Sequence, residues 1–336
     1  MGGLKHSVTL YGFGPEYMTG RQSLEEILLA VKAIGADGFE IVSPQMVEGH
    51  PNPDEEWIKR FTDMVQRLEM TPVCYSIYVD NGKHKGRFLT EDERFTWTLN
   101  EMEYAKRLGF SIVRSQEGLL AGTMEKLLPY AEALGLHLAA ELHGPHTPDS
   151  PVFREFEDLY ERVKSPNLGF VMDFSSFISG APATVLNTIP DELCHKDLLH
   201  RLRRQYELTE TPVEQLEKNL LDDGGDEVDL YIARKKLYSG RMGKMGSDYF
   251  RTHPDYNGFR RYLKHSRYMH GKFFHVDEKL VSEGIDYPGF IKIMKEENYQ
   301  GFIASEYEGS QYQPGISQVE EIERHIRMLD KLWDEA

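Results

Sequence analysis

The run Leu168-Gly-Phe-Val-Met-Asp173 decides the fold class, because a short apolar stretch leads directly to one carboxylate. Three more runs have the same form, and each ends in a side chain that can bind a metal ion: Leu136-His-Leu-Ala-Ala-Glu141, Gly271-Lys-Phe-Phe-His275 and Gly301-Phe-Ile-Ala-Ser-Glu306. Such runs are typical of strands in parallel α/β proteins, which are buried on both faces and collect functional groups at their C-terminal ends. The pattern predicts four parallel strands that deliver four polar groups to one place.

Strand-like and helix-like segments alternate along the whole chain. The first half contributes four further strand candidates, at 7–11, 38–42, 71–79 and 111–114. Eight strands, each followed by a helix-like segment, predict a (β/α)8 TIM barrel that spans residues 1–336 as one domain. The alternative is a doubly wound open sheet, which usually carries a glycine-rich nucleotide loop after its first strand. Gly12-Phe-Gly14 lacks a third glycine at that spacing, so the sequence favours the barrel.

The spacing of the strand ends predicts a long insertion after the sixth strand. Glu141 and Asp173 are 32 residues apart (173 minus 141), whereas Asp173 and His275 are 102 apart (275 minus 173). About 70 residues are therefore extra (102 minus 32), and we place them at roughly 182–270. A long loop at this end of a barrel often serves as a lid, a specificity element or an interface. Extra helices that only pad the barrel rim are an equal alternative.

Composition excludes several classes of protein. The chain has 336 residues, of which 40% are hydrophobic and 11% aromatic, so it can bury a sizeable core. Its formal net charge of −16 argues against a nucleic-acid partner, which needs a basic surface. No run is apolar for long enough to cross a membrane, and the N-terminus does not resemble a signal peptide. The two cysteines, Cys74 and Cys194, do not indicate a disulfide framework, and we expect a cytoplasmic protein.

The four strand ends predict a divalent-metal site made of Glu141, Asp173, His275 and Glu306. Three carboxylates and one imidazole form an oxygen-rich set, which suits Mn²⁺ or Mg²⁺, with Co²⁺ as a further option. A structural zinc site would instead contain thiolates and more imidazoles. Such a set leaves coordination positions open for two neighbouring substrate oxygens, and a metal held there can stabilise an enediolate as a Lewis acid. Four such residues in this order therefore predict a metal-dependent enzyme.

Two histidines follow the first carboxylate, in the run Glu141-Leu-His143-Gly-Pro-His146. On a strand, His143 points to the same face as Glu141, whereas His146 lies beyond the Gly-Pro turn. Histidine is the side chain best suited to move protons near neutral pH. We expect at least one of the two to be the base that removes a C–H proton beside a carbonyl. The alternative is that both only orient ligands or lie in solvent.

Other polar residues near the strand ends are candidates for substrate binding. Asp277 lies two residues after His275, so it could support a metal ligand or bind a sugar hydroxyl. The remaining candidates for this pocket are Tyr11, Glu40, Tyr78, Arg114, Lys279 and Glu308. Seven histidines lack a comparable context, and most of them are interpreted as surface residues: His50, His84, His195, His200, His253, His265 and His270.

The metal quartet and the eight-strand pattern resemble the xylose isomerase-like barrel superfamily over nearly the whole chain. The runs Glu141-Leu-His-Gly-Pro-His146 and Phe274-His-Val-Asp-Glu-Lys279, with the long insertion between them, look most like the α subunit of bacterial C-glycoside deglycosidases. The resemblance implies that Glu141, Asp173, His275 and Glu306 bind Mn²⁺ and that His143 or His146 acts as the base. It also implies a small β subunit as partner, a 3-oxo C-glucoside as substrate and a lyase reaction that releases the aglycone.

Two other functions stay open at this point. Ketose 3-epimerases of the superfamily carry a histidine three residues after the strand-six aspartate, where this chain has Ser176. They use their two glutamate ligands as the acid–base pair, and Glu141 and Glu306 are available for that, so epimerase or sugar isomerase chemistry on a related ketose is an alternative. A non-catalytic sugar-binding subunit is a further one. Endonuclease activity is disfavoured, since the chain is acidic and lacks the extra histidine ligands of a multi-zinc site.

Overall fold

Eight parallel strands pair in chain order and close into a barrel, because the last strand also pairs with the first. The computed structural model describes residues 3–116, 118–144, 146–178, 180–209, 211–238, 254–312 and 315–336. The strands are β1 Lys5–Thr9, β2 Gly38–Val42, β3 Thr71–Ile77, β4 Ile112–Ser115, β5 His137–Leu142, β6 Leu168–Asp173, β7 Ser266–Phe273 and β8 Phe302–Tyr307. The predicted (β/α)8 barrel is confirmed.

The helices surround the barrel and bury their apolar sides against it. They are α1 Gly14–Met18, α2 Leu24–Ala33, α3 Ser43–Met46, α4 Glu55–Leu68, α5 Glu91–Arg107, α6 Ala121–Leu134, α7 Pro151–Val163, α8 Lys196–Leu208, α9 Val213–Asp222, α10 Glu227–Ile232, α11 Tyr256–Leu263, α12 Tyr287–Glu296 and α13 Gln318–Glu335. α2 begins with a capping box, in which the Ser23 hydroxyl accepts from the Glu26 backbone N–H and the Glu26 carboxylate accepts from that of Ser23. Within the described residues, no helix combines the length and apolarity that a membrane crossing requires.

The barrel interior is an apolar plug with polar groups above it. The plug is a cluster of side chains from six strands, in which Val73 packs beside the inward-facing Cys74, Ile112, Ala139, Val171, Tyr268 and Ala304. Because side chains alternate across a strand, the residue two positions further along each strand also points inward, nearer the C-terminal end. On β5, β6 and β8 that residue is Glu141, Asp173 or Glu306. The plug therefore lies directly beneath a layer of polar side chains at the C-terminal end of the barrel.

Strand β7 differs from its predicted position. The sequence interpretation placed it at 271–275 and ended it at His275, whereas the strand begins at Ser266 and ends at Phe273. Its pairing with β8 decides this, since Tyr268 lies opposite Phe302 and Phe273 opposite Tyr307. The first part of β7 was not recognised from the sequence because it contains polar residues. These residues point into the barrel mouth and not into the apolar core. His275 therefore lies two residues beyond the strand end.

The segment between β6 and β7 contains α8, α9 and α10, followed by a π-helical turn at Ala233–Tyr238. The predicted insertion at 182–270 ends too late, because α11 is a regular barrel helix and β7 starts at Ser266. α11 packs on the barrel through Tyr262, whose ring centroid is 4.4 Å from that of Phe170 on β6. Residues 239–253, which include the aromatic run at 249–253 and His253, lie outside the described residues.

A buried histidine at the N-terminal end of the barrel makes folding stability depend on pH. His137 on β5 is 4% exposed, and its Nδ1 donates a hydrogen bond to the Pro166 carbonyl oxygen at 3.0 Å. Burial lowers the pKa of His137 to about 4, although this hydrogen bond opposes the shift. In the unfolded chain the ordinary value is 6.5. The unfolded state therefore gains a proton first as the pH falls from 6.5 towards 4, which destabilises the folded state.

We expect this single histidine to lower the free energy of unfolding by about 2 kcal/mol between pH 7.5 and pH 5. The substitution His137→Asn should remove that component, since the amide nitrogen can still donate to Pro166 but does not titrate. Urea unfolding of both proteins at the two pH values measures it. Wild type should lose about 2 kcal/mol more than the variant, and equal losses would contradict the assignment.

Candidate metal centre and active site

Three buried side chains from neighbouring strands meet at the C-terminal end of the barrel. Glu141 on β5, Asp173 on β6 and His270 on β7 each offer a ligand atom, and these atoms lie within 4.8 Å of one another. Glu306 on β8 joins them, with its Oε2 3.6 Å from Nδ1 of His270. The structure thus brings together the three carboxylates that the sequence predicted. The imidazole beside them belongs to a different histidine.

His275, the predicted fourth ligand, lies away from this cluster. It follows the end of β7, and its Nδ1 is 3.0 Å from Oε1 of Glu321 on α13. The same carboxylate accepts the backbone N–H of Val276 at 3.1 Å, so Glu321 fastens the loop after β7 to the last helix. The prediction ended β7 at His275, two residues beyond the observed end at Phe273, and therefore assigned the wrong histidine as a ligand. His270 was interpreted as a surface histidine, and this was wrong because its side chain is completely buried.

A carboxylate on β2 orients the His270 ring. Nε2 of His270 is 2.7 Å from Oε2 of Glu40, which is also completely buried. A carboxylate only accepts, so Nε2 carries the hydrogen of that bond. The other ring nitrogen, Nδ1, faces the carboxylates and lies 2.8 Å from Oε1 of Glu141. A histidine that donates one N–H to a carboxylate and presents its other nitrogen to a group of carboxylates is the arrangement found at metal-binding histidines.

Unpaired polar atoms test whether a cation fits here. Oε2 of Glu141, Oδ2 of Asp173, Nδ1 of His270 and Oε2 of Glu306 are all buried, and none has a hydrogen-bond partner within the described part of the chain. Arg114 lies at ion-pair distance from Oε2 of Glu141, and Lys272 from Oδ2 of Asp173 and Oε2 of Glu306, but none of these three contacts has the geometry of a hydrogen bond. Buried polar atoms are rarely left unpaired without a ligand or a function. Four donors of this kind, three of them oxygens, fit a divalent cation.

The site also contains two permanent cations. The Arg114 guanidinium, at the end of β4, lies 3.2 Å from a carboxylate oxygen of Glu40 and 3.2 Å from one of Glu141. Lys272, on β7, lies 2.9 Å from Oδ2 of Asp173 and 3.4 Å from Oε2 of Glu306. Burial alone would lower the pKa of Lys272, but attraction by the surrounding carboxylates raises it well above its usual value. Both cations therefore compensate part of the negative charge.

The carboxylates respond differently to this environment. Burial alone would raise the pKa of Glu141, but Arg114 and His270 hold it well below the usual value. Burial raises the pKa of Glu306 to about 7, although Lys272 and His270 oppose the shift. Repulsion by Asp173 and Glu141 adds to this rise, so negative charge is concentrated around Glu306. This concentration of carboxylates favours the binding of a positive ion.

The two candidate bases occupy different positions. His143 directly follows β5 and is partly buried, and its Nδ1 lies 2.7 Å from the Gly144 carbonyl oxygen. A carbonyl only accepts, so Nδ1 carries the hydrogen of that bond. His146 instead packs its ring edge-to-face against Phe153 of α7, at 5.5 Å between centroids. His143 lies two residues after Glu141, whereas His146 lies beyond the end of β5 near α7.

The predicted substrate-binding residues divide into two groups. Arg114 and Glu308 lie in the site, with Glu308 7% exposed and 3.5 Å from Lys272. Tyr11 follows β1 in the 3-10 turn Leu10–Phe13. Asp277 has a structural contact, because its Oδ1 accepts the backbone N–H groups of Lys279 and Val281 at 2.9 and 2.8 Å. Asp277 therefore holds the loop after β7, and its predicted role in binding a sugar hydroxyl stays a prediction.

Sequence reasoning missed two residues of this site. His270 and Lys272 both lie on β7 and both point inward, together with the plug residue Tyr268. The alternation Tyr268-Met-His270-Gly-Lys272 carries the signal, since its first, third and fifth residues share one face. Glu40, considered only as a pocket residue, orients His270. A strict period-two interpretation of the whole stretch from 266 onwards would have identified His270.

The sequence of this chain is similar to a family of barrel proteins and to several individual proteins. The sequence model of one family, described as xylose isomerase-like TIM barrel, matches residues 28–332. The 3'-dehydrocarminate deglycosidase alpha subunit of a Microbacterium species is 28% identical to this chain, over 98% of this chain and 95% of the relative. The C-glycoside deglycosidase alpha subunit of Microbacterium trichothecenolyticum is 29% identical, over 90% of this chain and 83% of the relative.

Solved structures show how far the fold is shared. A crystal structure of the IOLI protein with a bound zinc atom superposes with a TM-score of 0.57. The match covers 99% of both chains at 15% sequence identity. At that identity the similarity establishes the architecture of the barrel and says nothing about substrate.

Proposed function

Because this chain belongs to the family of xylose isomerase-like TIM barrels, we propose that it is a metal-dependent carbon–carbon lyase, the α-type subunit that releases the aglycone from a 3-oxo C-glucoside. The observation that carries the proposal is the similarity to a deglycosidase alpha subunit over 98% of this chain and 95% of the relative. Four buried metal-competent side chains at the barrel mouth support it, since the chemistry needs an electron sink beside the reacting carbon.

The residues proposed to hold the metal ion are Glu141, Asp173, His270 and Glu306. Their oxygen-rich composition favours Mn²⁺, with Mg²⁺ or Co²⁺ as substitutes. A divalent ion there would supply Lewis-acid polarisation of two neighbouring substrate oxygens. Glu40 holds the His270 ring in the orientation that presents Nδ1 to the carboxylates. Arg114 limits the repulsion between Glu40 and Glu141, because its guanidinium lies between them.

The chemistry follows from the carbonyl at C3 of the sugar, which acidifies the neighbouring C2–H bond. His143 is proposed as the base, because it follows Glu141 by two residues at the end of β5 and its ring is oriented by the bond from Nδ1 to the Gly144 carbonyl oxygen. Removal of the C2 proton leaves an electron pair that forms the C1–C2 double bond. The C1–aryl bond breaks, and its electrons leave on the aryl carbon, which takes up a proton. The products are an unsaturated anhydro-ketose and the free aglycone, with no change in overall oxidation state.

A second subunit is part of the proposal. Both relatives are alpha subunits by name, which implies that each works with another chain. We propose a small β subunit as the partner of this chain as well. The experiment on function therefore uses the chain both alone and together with a β subunit.

We expect aglycone release from a 3-oxo C-glucoside when the α and β chains are combined with Mn²⁺. Release should stop in EDTA and return when excess Mn²⁺ is added, because the four side chains lack a Lewis acid without it. Chromatography of the free aglycone measures it, and the same mixtures are analysed for epimerised ketose. Epimerised ketose without aglycone would assign the chain to the ketose 3-epimerases or sugar isomerases. Sugar binding without either product would indicate a non-catalytic subunit.

A further inference from the structure

Lys272 lies between the proposed metal site and the mouth of the barrel. It follows His270 by two residues on β7, so both side chains point inward and Lys272 is the one nearer the C-terminal end. Substrates of such barrels enter at that end. The Lys272 side chain is 15% exposed, whereas the His270 side chain is completely buried. The ammonium group of Lys272 therefore lies on the side of the metal site from which a sugar would approach.

Three carboxylates hold the Lys272 ammonium in place. Nζ lies 2.9 Å from Asp173, 3.4 Å from Glu306 and 3.5 Å from Glu308. Glu308 follows Glu306 by two residues, so it lies nearer the C-terminal mouth of the barrel, and it is 7% exposed. Asp173 and Glu306 are proposed metal ligands, whereas Glu308 is not. When the two ligands direct their oxygens to a cation, Glu308 remains to orient Lys272, and the ammonium has further hydrogens to donate.

A cation held between the metal site and the barrel mouth can stabilise negative charge that develops on the substrate during the reaction. Removal of the C2 proton from a 3-oxo sugar moves electron density onto the C3 oxygen. Preorganised donors aimed at an oxygen that becomes negative are among the largest contributions to catalysis, because they need no reorganisation during the reaction. The Lys272 ammonium is such a donor, since carboxylates from the ends of β6 and β8 surround it before any substrate arrives.

We propose that Lys272 is a catalytic residue that donates a hydrogen bond to the carbonyl oxygen of a 3-oxo hexose and stabilises the enolate formed from it. The inference deepens the proposed function and rests on it. Glu308 is the positioning residue that keeps the ammonium directed at the substrate. No proton or other group is transferred to or from Lys272 in this role.

The test compares Lys272→Met, which keeps length without charge, with Lys272→Arg, which keeps the charge. Each variant is loaded with Mn²⁺ and its metal content is measured. We expect one Mn²⁺ per chain in both, and kcat for aglycone release about 10²–10³-fold lower in Lys272→Met with a smaller loss in Lys272→Arg. Calorimetric binding of 3-oxo-glucose to the Mn²⁺-loaded proteins is the readout that does not depend on turnover. It should weaken several-fold in Lys272→Met and recover in Lys272→Arg.

The outcomes separate this inference from the proposed function. If wild type binds 3-oxo-glucose and exchanges its C2 hydrogen for solvent deuterium but releases no aglycone, the lyase assignment fails while Lys272 can still be scored on exchange. A Lys272→Met protein with bound Mn²⁺ that keeps kcat and binding within about 3-fold of wild type overturns the role of Lys272. So does a variant whose activity is lost only because Mn²⁺ is lost. Should Lys272→Met fail to fold, Lys272→Gln replaces it.

Discussion

The variant His270→Gln should lose its divalent metal ion, whereas His275→Gln should keep it. His270 presents Nδ1 to Glu141, and Nε2 already donates to Glu40. Glutamine can preserve the contact with Glu40 but does not supply an imidazole nitrogen to the carboxylates. Losing an outer partner of a metal ligand lowers affinity by about 10–100-fold, so loss of the ligand itself should exceed about 100-fold. Mn²⁺ affinity by calorimetry and metal content after dialysis are the measurements.

His275→Gln is the matched control for this prediction. Its imidazole contacts Glu321 on α13 and lies outside the cluster, so the variant should bind Mn²⁺ like wild type. Circular dichroism must show that both proteins are folded, because His270 is completely buried and Glu40 depends on it. Metal loss in His275→Gln with retention in His270→Gln would restore the original sequence prediction and contradict the structure.

Removing the base is the second large effect. We expect His143→Gln to lower kcat for aglycone release by about 10²–10⁴-fold at saturating Mn²⁺, the range typical of a general base. His146→Gln should change kcat by less than about 3-fold, because the His146 ring packs against Phe153 of α7. Metal content should stay at the wild-type level in both variants, since neither residue is among the proposed ligands.

Deuterium exchange at C2 of the 3-oxo sugar tests the assignment independently of bond cleavage. In deuterated solvent the wild-type protein should wash deuterium into C2, and His143→Gln should not. If exchange persists in His143→Gln while aglycone release is lost, then His143 acts after proton removal, as the acid for the leaving carbon. Loss of exchange in His146→Gln alone would transfer the role of base to His146. Mass spectrometry of the recovered sugar measures the label.

The fold was predictable from the sequence because its signal is local and repeated. Strand β6 lies where the run Leu168-Gly-Phe-Val-Met-Asp173 placed it, and β2 coincides with the predicted 38–42. Strands buried on both faces are apolar along their length, so their ends are visible as the first charged residue. For β5, β6 and β8 that residue is a carboxylate of the site. Three of the four clustered side chains were identified for this reason.

Strand β7 does not end at its first polar residue, because its inward-facing side is polar well before the strand ends. His270 and Lys272 lie within the strand and are tolerated there, since carboxylates from β2, β5, β6 and β8 surround them. The sequence interpretation placed the strand at 271–275, around the apolar pair Phe273-Phe274, and took the next polar residue, His275, as its end. In the structure Phe273 faces outward and stacks on His325 of α13, with ring centroids 4.1 Å apart.

The sequence by itself determined the barrel, its closure by eight strands and the identity of three carboxylates, because hydrophobic patterning and period-two alternation are properties of neighbouring residues. Only the tertiary structure decided which histidine joins them. That choice depends on the register between strands, in which His270 lies opposite Ala304 on β8 and Asp173 on β6. Register is set by contacts between residues that are far apart in the chain. A shift of one residue would turn every side chain of β7 to the other face of the sheet.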